Sequence, residues 1–142
     1  MAKVHGTAVL AVGCALIAGC GGSASTRLTA GELAAQGTAI CTKARVAEKN
    51  IQSSDAASAL PSILTREIAE LGRLSPPPAE QGSYATLLGY FSQLRGLFQS
   101  LSSAPARTGS EPPEVLTRGA ALAARANAVA GPLGLAACTA PS

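Results

Sequence analysis

Histidine is all but absent from this sequence. Its one copy, His5, stands near the start, in a segment that reads as a processing signal. The rest of the chain therefore cannot assemble a Ser-His-Asp or Cys-His nucleophile. It also lacks the imidazole that most zinc and copper sites use. Tryptophan is missing, methionine occurs once, and there are two tyrosines and two phenylalanines. Charge is sparse at 13% of residues and contains no basic run, so the electrostatic footprint of a nucleic-acid binder is lacking. With Lys3 set aside, ten Lys and Arg face eight Asp and Glu, a balance of +2. No apolar run after residue 20 approaches the roughly 18 residues of a membrane-spanning helix. An apolar share of 47% with so little charge excludes general disorder. The chemistry left to an enzyme is a carboxylate pair, drawn from two of Glu67, Glu70, Glu80 or Glu114. These acids are scattered at positions that read as helix surfaces. The expectation is a non-enzymatic chain with no catalytic residue, no cofactor and no metal.

What is present begins with an address. Met1-Ala2-Lys3-Val4-His5 is a short n-region with one lysine, and Val9 to Ala18 is an apolar stretch broken only by Gly13 and Cys14. That length suits a signal-peptide h-region and falls well short of the roughly 20 residues of a spanning helix. Gly21-Gly22-Ser23 then stops it. Ile17-Ala18-Gly19-Cys20, placed where the apolar stretch ends, resembles the lipobox of bacterial lipoproteins. The resemblance implies cleavage before Cys20 by signal peptidase II and a diacylglyceryl group on the Cys20 thiol. It also implies acylation of the new amino group, with palmitate among the chains. Each buried methylene adds about 0.8 kcal/mol, and two chains hold a protein to a bilayer where one does not. The competing reading is an ordinary secretory signal with an incidental cysteine. The expected division is a signal peptide at 1–19, a lipidated cysteine and flexible tether at 20–28, and a helical domain at 29–142. The protein would then sit lipid-anchored on the extracytoplasmic face of the cell membrane.

Cysteine parity follows from that division. Cys14 leaves with the signal and Cys20 carries lipid, so Cys41 and Cys138 are the remaining thiols. An even pair outside the cytoplasm reads as a disulfide; the alternative is two buried free thiols. The bridge would close a loop of nearly a hundred residues and stabilise the fold by roughly 4 to 5 kcal/mol in the chain-entropy treatment.

Four amphipathic patterns fill the domain. Thr29 and Glu32 form a capping box, flanked by Leu28 and Leu33 at staple positions. Leu33, Gly37, Ile40, Cys41, Ala44, Ala47 and Ile51 continue one helical face, which turns Cys41 toward the core. A second helix is predicted from about Ser58, with Pro61 in its first turn. Leu60, Leu64, Ile68 and Leu71 form its stripe, and Arg66, Glu67, Glu70 and Arg73 take the other side. Ser75-Pro76-Pro77-Pro78 is a stiff corner. A third helix runs from about Ala79 to Ser102 on a seam of Tyr84, Leu87, Phe91, Leu94, Phe98 and Leu101. It holds all four aromatic residues. Tyr84, Phe91 and Phe98 can be read as a ligand groove, or as the bulk of a core otherwise built from Ala and Leu. Glu111-Pro112-Pro113-Glu114 opens a fourth helix, and Gly131-Pro132 closes it. Leu133 to Cys138 then returns to the body.

The fold expected is all-α, an antiparallel four-helix bundle closed by one disulfide. Cys41, Leu71-Gly72-Arg73-Leu74-Ser75-Pro76-Pro77 and Leu133-Gly134-Leu135-Ala136-Ala137-Cys138 resemble features of small, uncharacterised helical lipoproteins of high-GC actinobacteria. That likeness implies a corner and a bridge and carries no active residue. Two functions are expected in order. One is an envelope module that binds a partner protein; the other is a carrier or sensor of a small apolar ligand held between helices. The expected partners are the membrane, through the lipid, and an envelope protein, with no nucleic acid.

Overall fold

The computed structural model of the protein describes residues 27–52, 55–103 and 113–139. The expected signal peptide, Cys20 and the tether through Thr26 lie outside the described residues, as do Glu111 and Pro112. Four α-helices, and no strand among the described residues, make up the body: α1 (Ala30–Lys49), α2 (Ala56–Leu71), α3 (Gln81–Ser102) and α4 (Pro113–Ala130). A 3-10 turn, Ala136–Cys138, follows α4.

The start of α1 is the predicted capping box. The Thr29 N–H donates to Glu32 Oε2 at 2.8 Å, and the Glu32 N–H donates to Thr29 Oγ1 at 3.3 Å. Such a cap stabilises a helix by about 1 kcal/mol. Leu28 is half-buried against the core, and its N–H donates to Ser75 O at 2.8 Å, so the folded body reaches back into the last residues assigned to the tether. The helix stops at Lys49, short of Ile51, with Asn50 as its cap.

α2 begins at Ala56, ahead of the predicted Ser58, because its first turn is built on Asp55, whose carbonyl accepts the Ser58 hydroxyl at 3.0 Å. Pro61 is consequently inside the helix and beyond its first turn. It withholds one helical N–H, and its own carbonyl accepts from Thr65 Oγ1 at 2.7 Å. The proline corner is held at Ser75 O by Leu28 and at Pro77 O by the Glu80 N–H, 3.0 Å away. That last turn delays α3 to Gln81. α4 opens at Pro113 with Glu114 beside it, where a missing N–H costs nothing and an acid suits the helix dipole.

α3 packs against both α2 and α4, while α1 packs against α2 and the C-terminal 3-10 turn. Leu33, Leu71, Leu87 and Leu135 are fully buried with Cys41, and each buried leucine contributes roughly 2 kcal/mol. The predicted seam of α3 is buried at Tyr84, Leu87 and Phe91 and only half-buried at Leu94, Phe98 and Leu101. After α4, Gly134 takes φ +71°, and the Leu135 N–H donates to Ala130 O at 2.9 Å. This reversal sends Leu133 and Leu135 into the core. Leu135 rests on Gly37 of α1, where a β-carbon would collide with it. Cys138 is thereby joined to Cys41, with Cα atoms 4.9 Å apart and a sequence separation of 97.

Candidate functional site

The described residues concentrate their unusual chemistry in one place, a cleft of about 110 Å³ where all four helices and the C-terminal turn meet. Arg45 and Glu48 enter it from α1, Glu67 from α2, Phe91 and Leu94 from α3, and Asn127 from α4. Cys138 forms part of its wall. Arg45 braces the wall: its Nε donates to Ala137 O at 2.7 Å, tying α1 to the turn that carries Cys138.

Glu67 departs most from the sequence expectation. The sequence pattern puts it on the polar side of α2, yet it is only 7% exposed. The reason is its spacing. Pro61, Leu64, Glu67 and Leu71 recur three and four residues apart, and all four are buried, so Glu67 rides in the inward stripe. A carboxylate oxygen of Glu67 and the sulfurs of Cys41 and Cys138 lie within 4.8 Å of one another. No hydrogen-bond donor reaches the Glu67 carboxyl among the described residues. Burial, with the neighbouring Glu48 charge adding to it, pushes its pKa up to about 7, and Arg45 partly opposes this. Burial also raises Glu48, again against Arg45.

The remaining predicted residues are dispersed. Tyr84 is buried in the core, its hydroxyl donating to Leu71 O at 2.8 Å, and burial pushes its pKa up to about 12. Phe91 lines the cleft; Tyr84 and Phe98 do not. Glu70 pairs with Lys43 on α1 at 2.8 Å, Glu80 stands before α3, and Glu114 is exposed on α4. Of the four carboxylates singled out, Glu67 alone reaches the cleft, and its acidic neighbour there is Glu48. With both sulfurs joined, Cys41, Cys138 and Glu67 offer one carboxylate and no thiolate, so the oxidised trio lacks the donor set of a zinc site.

The chain matches no protein-family model, no curated protein and no solved structure. The functional reading therefore rests on its own residues.

Proposed function

We propose that the protein is a lipid-anchored lipoprotein of the cell envelope, whose antiparallel helical bundle is a non-catalytic module for binding a partner protein. The observation that carries this reading is the pairing of Cys41 with Cys138. Each of the two cysteines after Cys20 has the other as its partner, a state kept in oxidising compartments. With Cys14 removed in the signal, Cys20 is the one sulfur left, at the end of an export-type apolar stretch in the lipobox-like Ile17-Ala18-Gly19-Cys20. The likeness to small actinobacterial lipoproteins belongs to the same proposal. A tether of seven or eight residues spans at most about 25 Å, which would keep the bundle close to the bilayer.

Intact-mass analysis of protein from the membrane fraction of its own host tests the anchor. The expected mass begins at Cys20, carries two or three acyl chains and lacks two hydrogens. A chain released to the medium with a bare Cys20 refutes it. In-cell crosslinking identifies the partner. The alternative, a carrier of a small apolar ligand, draws support from the cleft beside Phe91. Its volume is below the 300–1,000 Å³ or so of ordinary ligand pockets and nearer the 150 Å³ or so that admits benzene. Benzene-sized probes followed by NMR test that reading; no shift at Leu64, Phe91 or Leu94 removes it.

A further inference from the structure

We infer that the cleft is a thiol-exchange site, in which a small thiol opens the Cys41–Cys138 disulfide and Glu67 supplies the proton for the departing sulfur. The two sulfurs are not equivalent. Cys138 lines the cleft and is 8% exposed, whereas Cys41 is 1% exposed. A cleft of about 110 Å³ admits the end of a small thiol and excludes a folded protein, so attack falls on Cys138.

The thiolate of the small thiol forms a new S–S bond with Cys138 Sγ. The Cys41–Cys138 bond breaks, and its electron pair passes to Cys41 Sγ. A thiolate at that buried position is strongly disfavoured unless it gains a proton. The carboxyl beside both sulfurs is Glu67. It gives its proton to Cys41 and becomes a carboxylate, partly offset by Arg45. A second thiolate then attacks the outer sulfur of the mixed disulfide, releasing Cys138 and a small-molecule disulfide. Cys138 and Glu67 recover protons from water through the cleft. In sum, two small thiols are oxidised to one disulfide while Cys41 and Cys138 are reduced to thiols.

Three features of Glu67 favour this role over a purely structural one. It is buried, it has no hydrogen bond among the described residues to hold its proton elsewhere, and it lies within 4.8 Å of both reacting sulfurs. In the cleft the charged groups facing it are Arg45 and Glu48 of α1; a second hollow of about 20 Å³ sets Glu67 beside Lys43 of α1 and Arg66 and Glu70 of α2. α3, α4 and the C-terminal turn present uncharged side chains to the cleft, among them Phe91, Asn127 and Thr139. Protonation near neutral pH makes Glu67 an available acid in the range where small thiols begin to ionise.

The test is the rate at which 2-mercaptoethanol opens the bridge in the full-length protein across pH 5 to 9. Alkylation and mass spectrometry of the Cys41 and Cys138 peptides follow the reaction, and each rate is divided by the thiolate concentration of the reagent. In the wild type the normalised rate should fall about tenfold between pH 6 and pH 8, as Glu67 loses the proton it must donate. In E67Q the profile should be flat, and at pH 6 about tenfold or more below wild type. A carboxylate that merely loosens the core on ionising gives the opposite sign, a normalised rate rising above pH 7. Such a rise, a flat wild-type profile or an E67Q profile identical to wild type overturns the inference. If E67Q does not fold, the wild-type profile alone decides. The readout is confined to the Cys41 and Cys138 peptides, so each of these outcomes holds whether or not Cys20 is lipidated.

Discussion

Glu67→Gln is expected to change how stability depends on pH, and the size of the change follows from where the side chain sits. In the unfolded chain this carboxyl ionises near its ordinary value of 4.5, and in the fold near 7. Between those values the folded protein holds a proton that the unfolded chain has released. The contribution of Glu67 to stability is therefore fully present below about pH 4.5, falls as pH rises through the window, and is lost above 7. At 1.36 kcal/mol for each pH step, that loss is about 3 kcal/mol. The glutamine side chain cannot ionise and has nearly the shape of the protonated acid. Urea unfolding at pH 5, 6, 7 and 8 should show wild type losing about 2.5 kcal/mol across the range, part of the loss having fallen below pH 5, and E67Q losing much less. Glu48, raised in the same direction by its burial, supplies the slope that remains in E67Q. The carboxyls of Glu32 and Glu70 are held below their ordinary range, by hydrogen bonds from Thr29 and Lys43 respectively, so their effects fall at more acid pH. A wild-type curve flat from pH 5 to 8, or an E67Q curve parallel to it, refutes the claim that Glu67 is buried and protonated in the fold.

Tyr84→Phe removes the hydroxyl that donates to Leu71 O at 2.8 Å in the core and leaves a carbonyl at the end of α2 without that donor. The expected loss is about 1 to 2 kcal/mol by urea unfolding, with the m-value unchanged; a loss below 0.5 kcal/mol or so would mean that the Leu74 N–H, 2.9 Å from the same oxygen, satisfies that carbonyl by itself. Gly134→Ala places a β-carbon at φ +71° and 2.9 Å from the Ala34 β-carbon. It should cost more than the roughly 1 kcal/mol of left-handed strain alone and should make the C-terminal turn more sensitive to protease; equal stability and unchanged cleavage would contradict the close approach.

Much of the fold was legible in the residues because local chemistry settles it. The Thr29–Glu32 cap, the Ser75–Pro78 corner and the proline at the head of α4 act within a turn of where they stand, and each element formed there. Boundaries moved by a few residues where two local preferences competed. At α2, Pro61 was expected near the helix start, but the turn on Asp55 begins the helix earlier. The candidate site was much less legible. Tyr84, Phe91 and Phe98 share a stripe on α3 but not a surroundings, since Tyr84 is spent on Leu71 and Phe98 lies outside the cleft. Glu67 was the readable omission. Its spacing from Leu64 and Leu71 matches the inward stripe, although a carboxylate by its charge favours the solvent face.

By itself the sequence determined four helices, their breaks and the parity of Cys41 with Cys138, because helical period, caps and prolines are properties of neighbouring residues. Only the tertiary structure decided that Glu67 faces a disulfide. Burial of one helix face depends on what returns to cover it, and here the cover is the turn from Leu133 to Cys138, whose cysteine lies 97 residues beyond Cys41. A 3.6-residue period says which residues travel together around a helix. It leaves open which of them will be shut away from water.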